Sequence, residues 1–290
     1  MWTALLKFLI FLAGWFSWRG SQKLGAVFGL IWFHIVRIRR RTVLRNLRLA
    51  LPEQGEKHFE IARNAYRHFG ISAMEFLKMA HMPPGELSSR VRSHGMEYYQ
   101  AALSRGKGVI VVTAHFGNFD LLACSQAAKG IPLAIVSQSL HMDGINGLWM
   151  AMRRAKGLEI FPEQGAARHV LGWLRGGRVL GLTVDQRISP EHGGIRSDFL
   201  GYRVWTTTAP AALAVRTGAA LLPVRIERGE DGNHDLIVES EIVVDDCQKG
   251  EEIELLTDKI NQVVASWVRR RPDHWMWLHR RFGGSVKTDT

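Results

Sequence analysis

The run Val109-Ile-Val-Val-Thr-Ala-His115-Phe-Gly-Asn-Phe-Asp120 decides the fold class, because an uncharged, β-branched segment delivers a histidine and, five residues later, a carboxylate. Short apolar runs of this kind are strands buried on both faces of a parallel sheet. His115 is therefore expected at a strand's carboxyl end, where open α/β sheets form their ligand crevices. Gly117-Asn118 permits a tight turn, and Phe119 to Lys129 reads as a helix stopped by Gly130. Residues five apart on an ideal helix are well separated in angle, so a His115–Asp120 pair requires the histidine to precede the helix. A carboxylate on one ring nitrogen would leave the other as an acceptor and a better base, able to deprotonate a hydroxyl. The N–H groups around Gly117 and Asn118, at the helix start, can bind an oxyanion or a phosphate. The alternative is an ordinary strand-end histidine beside an acid that merely favours the helix dipole. Spacing alone leaves both open.

Outward from this stretch the pattern alternates. Strands are expected at Pro132 to Ser137, Leu158 to Phe161 and Val179 to Val184, with helices at Ile145 to Lys156 and Ala166 to Arg175 between them. A short strand is expected over Glu86 to Ser93, a helix over Gly95 to Ser104, a helix over Thr207 to Thr217, and strands over Ala220 to Glu227 and Asp235 to Ser240 about a Gly229–Gly232 turn. A helix from Glu251 to Arg271 ends at Pro272. Alternation of this kind means an α/β fold with a largely parallel central sheet flanked by helices. The segment from Asp185 to Gly201 is expected as a long functional loop. It follows a buried strand, so Asp185, Gln186 and Arg187 should open into the crevice that holds His115. Arg187 is suited to a substrate phosphate or carboxylate, with Asp185 holding it in place. The aromatic tail through Arg280 and Arg281 is expected either to clasp a phosphorylated, partly apolar ligand or to close the core.

The chain has 290 residues, 46% of them hydrophobic, enough for one large core, and a formal net charge of +11 that calls for an anionic partner. Residues Trp2 to Trp18 are almost continuously apolar, and a second apolar stretch runs from Leu24 to Val36. Each falls short of the roughly 20 residues of a spanning helix. Trp2, Trp15, Trp18 and Trp32 sit where interfacial aromatics anchor, and Arg37, Arg39, Arg40, Arg41, Arg45 and Arg48 follow without an acid among them. An apolar segment before an arginine block reads as an N-terminal hydrophobic, membrane-anchoring helix on a protein that faces the cytoplasm. The alternative is a pair of core helices with a solvated basic face. The organisation expected is an anchor and basic segment over residues 1–50 and a catalytic domain over 51–290. Two cysteines, Cys124 and Cys247, form no CxxC and fit a reducing compartment, and no metal site is indicated. GxSxG, GxxxxGK[ST] and GxGxxG are absent, and so are the basic-aromatic modules that recognise nucleic acid.

His115-Phe-Gly-Asn-Phe-Asp120 resembles the His-x4-Asp/Glu motif of the glycerolipid acyltransferase superfamily. More closely, the chain resembles the late acyltransferases of bacterial lipid A biosynthesis. The basic Arg40 to Arg48 with Leu51-Pro52, Val184-Asp-Gln186, Phe199-Leu-Gly201, Thr207 to Pro223 and the closing Pro272 to Phe282 carry that resemblance. It implies a glycerolipid acyltransferase-like fold at the bacterial inner membrane, facing the cytoplasm. It implies His115 as general base with Asp120 as its relay partner, and Asn118, Arg153, Arg154, Asp185 and Gln186 about the acceptor. The reaction implied moves a fatty acyl group from acyl carrier protein to a hydroxyl of an anionic glycolipid, without a cofactor. That family usually carries Glu where this chain has Asp120. Related acceptors, or water in a thioesterase, would use the same dyad.

Overall fold

The computed structural model describes residues 2–137, 143–244, 248 and 250–288, so Cys247 lies outside the described residues. The chain begins with α1 (Trp2–Gly14) and α2 (Trp18–Ile31), which runs into a π-turn at Trp32–Val36. Then come α3 (Arg40–Ala50), α4 (His58–Met79), α5 (Pro84–Ser89), β1 (Val91–His94), α6 (Met96–Ser104), β2 (Val109–Thr113) and α7 (Phe119–Ala128). β3 (Leu133–Ser137), α8 (Asp143–Arg154), β4 (Glu159–Pro162), α9 (Ala166–Arg175) and β5 (Val179–Thr183) alternate as expected. The remainder is β6 (Gly194–Phe199), β7 (Tyr202–Thr207), α10 (Ala209–Thr217), β8 (Ala220–Arg228), β9 (His234–Val238), α11 (Glu252–Arg270) and β10 (Val286–Lys287).

The main sheet has the order β1-β9-β8-β2-β5-β3-β4, and every neighbouring pair is parallel except β8 with β9. β2 is central, and its apolar run serves two cores at once. Ile110 and Val112 pack with Leu180, Leu221 and Trp267 on one face. Val109 packs with Val179, Leu222 and Leu121 on the other. Each such side chain removed from water contributes about 1.5–3 kcal/mol.

Four expectations change. The glycine-rich stretch after Asp185 is not all loop: β6 pairs antiparallel with β7, and β10 extends them into a second, three-stranded sheet. The strand expected from Glu86 is instead α5 followed by β1, because Pro84 is pre-set for a first helical position. The N-terminal stretch is two short helices of 13 and 14 residues rather than one long anchor. At 1.5 Å per residue each spans about 20 Å against a hydrocarbon core of about 30 Å, and no helix among the described residues is long and apolar enough to cross a membrane. The tryptophans also divide. Trp15 is 78% exposed, but Trp18 is buried and donates its indole N–H to the Gly232 carbonyl, while Trp32 packs on Tyr66 and Phe69. The side chain of Trp2 lies outside the described residues.

α2 and α4 meet backbone to backbone. A Cβ on Gly25 would lie 2.5 Å from the Gly70 carbonyl oxygen, and one on Gly29 would lie 2.2 Å from that of Tyr66. Only glycine fits these positions.

Candidate active site

His115 stands two residues beyond the end of β2, and Asp185 stands two beyond the end of β5. Thr113 and Thr183 are register partners on these adjacent parallel strands, so the two side chains emerge side by side. The Asp185 carboxylate can only accept, so His115 Nδ1–H donates to its Oδ1 at 2.8 Å, while the His115 backbone N–H donates to Oδ2 at 3.0 Å. Trp275 Nε1–H gives Oδ2 a second donor at 2.8 Å. Burial would raise the Asp185 pKa, yet the charge and hydrogen bond of His115 and the indole donor hold it well below the usual carboxylate range. Burial likewise opposes protonation of His115, but Asp185 outweighs it and raises the histidine above its ordinary value, with a smaller pull from Asp120. Nε2 of His115 is left as the acceptor, with the Gln186 amide nitrogen 3.4 Å away and the His279 ring close by.

The turn after His115 is laced to the tail. Gly117 adopts φ 62, and a Cβ there would meet the Ile226 carbonyl oxygen at 1.9 Å, so only glycine can make this turn. Its N–H donates to the His274 carbonyl at 2.9 Å, Phe116 bridges to Trp275, and Met276 N–H donates to the His115 carbonyl. The Gly117 amide expected to face an oxyanion is therefore already committed. Asn118 caps α7, its Oδ1 accepting from the Leu121 N–H at 3.0 Å. The Phe119 and Asp120 amides, at the helix start, have no intrahelical acceptor.

Asp120 does not pair with His115. It is buried against Arg153, whose Nη2 and Nε lie 2.6 and 2.7 Å from its Oδ1. Asp120 is the second residue of α7, and the helix turns its carboxylate toward α8. Of the two expectations for the tail, Arg281 follows the second and closes the core rather than clasping a ligand. It is buried, and it donates to the Gln186 and Trp205 carbonyls, Thr206 Oγ1 and Asn261 Oδ1. Arg281 thus fixes the Gln186 loop from behind and offers no guanidinium to a ligand. Arg154, Arg187 and Arg280 are exposed.

An apolar cavity of about 500 Å³ opens at His115, with Asp120, Arg153, Gln186 and His279 at its polar end and Leu122, Ile135, Val179 and Leu222 among its apolar walls. A second, of about 330 Å³, reaches His115 from between α4 and the tail. Cavities of this size and lining suit a hydrocarbon chain. Cys124 is buried, its thiol pushed up to about 12 chiefly by burial, so it is packing and not a nucleophile. Among the described residues no three His, Cys, Asp or Glu side chains converge as a metal site would need. Trp275 and His279 join the site although no motif in the sequence marks them. The signal available for the pair itself was the shared spacing of His115 and Asp185 from their strand-ending threonines.

A family of known proteins shares this whole frame. The description "Bacterial lipid A biosynthesis acyltransferase" matches residues 2–283. The chain belongs to that family. It is 24% identical over 265 residues to the lipid A biosynthesis lauroyltransferase of Escherichia coli, covering 90% of this chain and 84% of that one. To the lipid A biosynthesis palmitoleoyltransferase of the same organism it is 23% identical over 251 residues, covering 84% of this chain and 79% of the other. A phosphatidylinositol mannoside acyltransferase of Mycobacterium tuberculosis is 31% identical over 133 residues, 44% of this chain and 42% of its own length. Membership of the lipid A biosynthesis acyltransferase family makes this chain an acyltransferase.

Proposed function

We propose that this protein moves a fatty acyl group from the thioester of acyl carrier protein to a hydroxyl of a lipid A precursor at the bacterial inner membrane, from the cytoplasmic side. The observation that carries the reading is the His115 ring, pinned at Nδ1 by buried Asp185 with Nε2 turned to the mouth of an apolar cavity. Nε2 takes the acceptor's proton as its oxygen attacks the thioester carbonyl. The negative charge that develops on the carbonyl oxygen is met by the free amides of Phe119 and Asp120 at the start of α7. Collapse of the tetrahedral species breaks the carbon–sulfur bond, and the departing thiolate takes the proton back from His115. Asp185 keeps the ring in the productive tautomer and stabilises the imidazolium between these steps. Asp120 contributes by fixing Arg153 at the polar end of the cavity.

The surface supports the same reading. Arg37, Arg39, Arg41, Arg45 and Arg48 are exposed, and Arg39 donates to the Leu278 carbonyl beside His279. This basic block complements an acidic carrier protein and the phosphates of an anionic glycolipid. Phe8, Phe11, Trp15, Phe28 and Ile35 form an exposed apolar face suited to lying in a lipid surface. The test is incubation of the protein and a His115→Ala variant with acyl carrier protein charged with a fatty acid and with lipid A precursor, followed by mass spectrometry of the lipid. One added acyl group with the unchanged chain and none with the variant is expected. Equal acylation by both proteins would overturn the role of His115, and no acylation by either would overturn the choice of donor and acceptor.

A further inference from the structure

Beneath the His115 turn lies a charged cluster that the proposed chemistry does not use. Glu75, four residues before the end of α4, is fully buried, and its two carboxylate oxygens meet donors from α2, β8, β9 and the N-cap of α7. Oε1 accepts from Gln22 Nε2 of α2 at 2.7 Å, from His234 Nε2 of β9 at 3.1 Å and from Arg228 Nε of β8 at 3.1 Å. Oε2 accepts from Arg228 Nη2 at 2.7 Å and from Asn118 Nδ2 at 2.8 Å. Burial alone would favour the neutral acid, but Arg228 and His234 hold Glu75 ionised, well below the usual carboxylate range.

A buried ion pair is a costly way to stabilise a fold, since apolar side chains of the same size often do as well. What this one does geometrically is more specific. Both polar atoms of the Asn118 carboxamide are engaged: Oδ1 caps α7 by accepting from Leu121 N–H, and Nδ2 donates to Glu75. The cap sets where α7 begins, and with it the turn from His115 to Asp120. On the opposite side Glu75 holds Gln22, whose helix packs on α4 through glycines that leave no slack. Gln22 and Trp18 also both donate to the Gly232 carbonyl in the turn between β8 and β9. Of the two amide groups that Glu75 fastens, one belongs to the site and the other to a helix whose exposed residues are Arg19 and Lys23 in its first half and Val27, Phe28 and Ile31 in its second.

We propose that Glu75 is a positioning residue that fastens the Asn118 cap beneath His115 and, through Gln22, makes the placement of the site depend on how α2 is seated. A helix that shifts on meeting a lipid surface would then move the reacting groups, and an enzyme whose acceptor lies in that surface would be most active there. The consequence for turnover rests on the acyl-transfer reading above, but the mechanical link does not.

The experiment has two readouts. Glu75→Gln keeps the size of the side chain and removes the charge and one acceptor. Misplacement of reacting atoms by about 1 Å costs about 10²-fold, so kcat should fall by about that factor with KM for the acyl donor within about twofold. Exchanging partners, with Glu75→Gln and Asn118→Asp together, restores a hydrogen bond of reversed direction, keeps the cluster's net charge and retains a good N-cap. That double variant should recover about tenfold or more of the loss, which a merely structural carboxylate would not do. In parallel, hydrogen exchange followed by mass spectrometry reads protection of residues 117–122 in the same proteins without any substrate. Protection lost in Glu75→Gln and regained in the double variant supports the link; unchanged protection, or a single variant that turns over normally, overturns it. If Glu75→Gln does not fold, Gln22→Ala approaches the link from its other end, and unaltered exchange at 117–122 in that variant overturns it too. Absence of acyl transfer by the unaltered protein would defeat the functional reading alone, because the exchange measurement still decides the role of Glu75.

Discussion

Asp185 and Asp120 both lie close to His115, and their different partners predict different failures. Asp185→Asn would place an amide N–H against Nδ1, favouring the tautomer whose Nε2 carries the proton and cannot act as a base; losses of about 10⁴-fold in kcat accompany such a change. Asp120→Asn leaves the buried Arg153 guanidinium without its carboxylate, and breaking a buried pair in this way costs about 3–5 kcal/mol. Thermal unfolding and acyl-transfer rates on the two variants should therefore separate, with Asp185→Asn folded but inactive and Asp120→Asn markedly less stable. The pH profile gives a second check. His115 must be free of its proton to act, and its pKa is raised, so activity should fall on the acid side with a midpoint above the ordinary histidine value of 6.5. In Asp185→Ala the residual activity should show that midpoint moved to lower pH, because the main influence raising it has gone. An unmoved midpoint would mean that the limb belongs to another group. The histidine was legible from its apolar strand and glycine turn. Asp185 was legible as a neighbour in the same crevice but not as the partner, because it lies seventy residues on and meets His115 only through the adjacency of β2 and β5, a tertiary fact.

At the scale of elements, the alternation of strands and helices from β2 to β5 was readable because each buried strand is short, apolar and bounded by turn residues. β6 was hidden because four of its six residues are charged or small, and it is held by a hairpin partner rather than by the core alone. The division of the N-terminus into α1 and α2 follows from Gly14 and the Ser17 cap, local signals that the overall hydrophobicity of the stretch outweighs on reading. The α2–α4 contact gives a sharp prediction. In Gly29→Ala the new methyl group would fall within 2.2 Å of the Tyr66 carbonyl oxygen, so the helices must separate. Overpacking of this kind costs about 1–3 kcal/mol, or roughly 2–12 °C in Tm at about 2–4 °C per kcal/mol. Gly172→Ala on α9, where an added Cβ meets nothing, is the matched control. Calorimetry showing equal Tm for both would refute the tight contact.

Across the whole molecule, two responses to conditions follow from how charge is distributed. His68 and His274 lie with their rings in tilted contact beside Arg228, and both have pKa values lowered chiefly by burial, while His115 is raised. Below pH 6.5 the unfolded chain protonates the first two and the folded chain resists, so stability falls as pH drops; the stabilisation from His115, whose folded pKa is raised, is already complete below pH 6.5 and is lost only as pH rises above it, so it does not offset this decline. Each histidine that stays neutral in the fold costs about 1.4 kcal/mol per pH unit below its unfolded pKa. Tm should thus decline between pH 6.5 and 5.5, and His68→Gln should flatten that decline. The outer face carries the other response. Phe11, on α1, is 56% exposed, and Trp15, in the turn between α1 and α2, is 78% exposed. A protein lying in the lipid surface by these groups should bind vesicles containing anionic lipid, and salt should weaken the binding by screening the arginines. Burying one aromatic side chain is worth about 1.5–3 kcal/mol, so Phe11→Ser and Trp15→Ser should each lower vesicle partitioning by about tenfold or more at constant salt. Co-sedimentation unchanged in both variants would place the lipid contact elsewhere on the molecule. Loss of binding with salt alone, and not with these substitutions, would make the contact electrostatic and leave the apolar face for a protein partner.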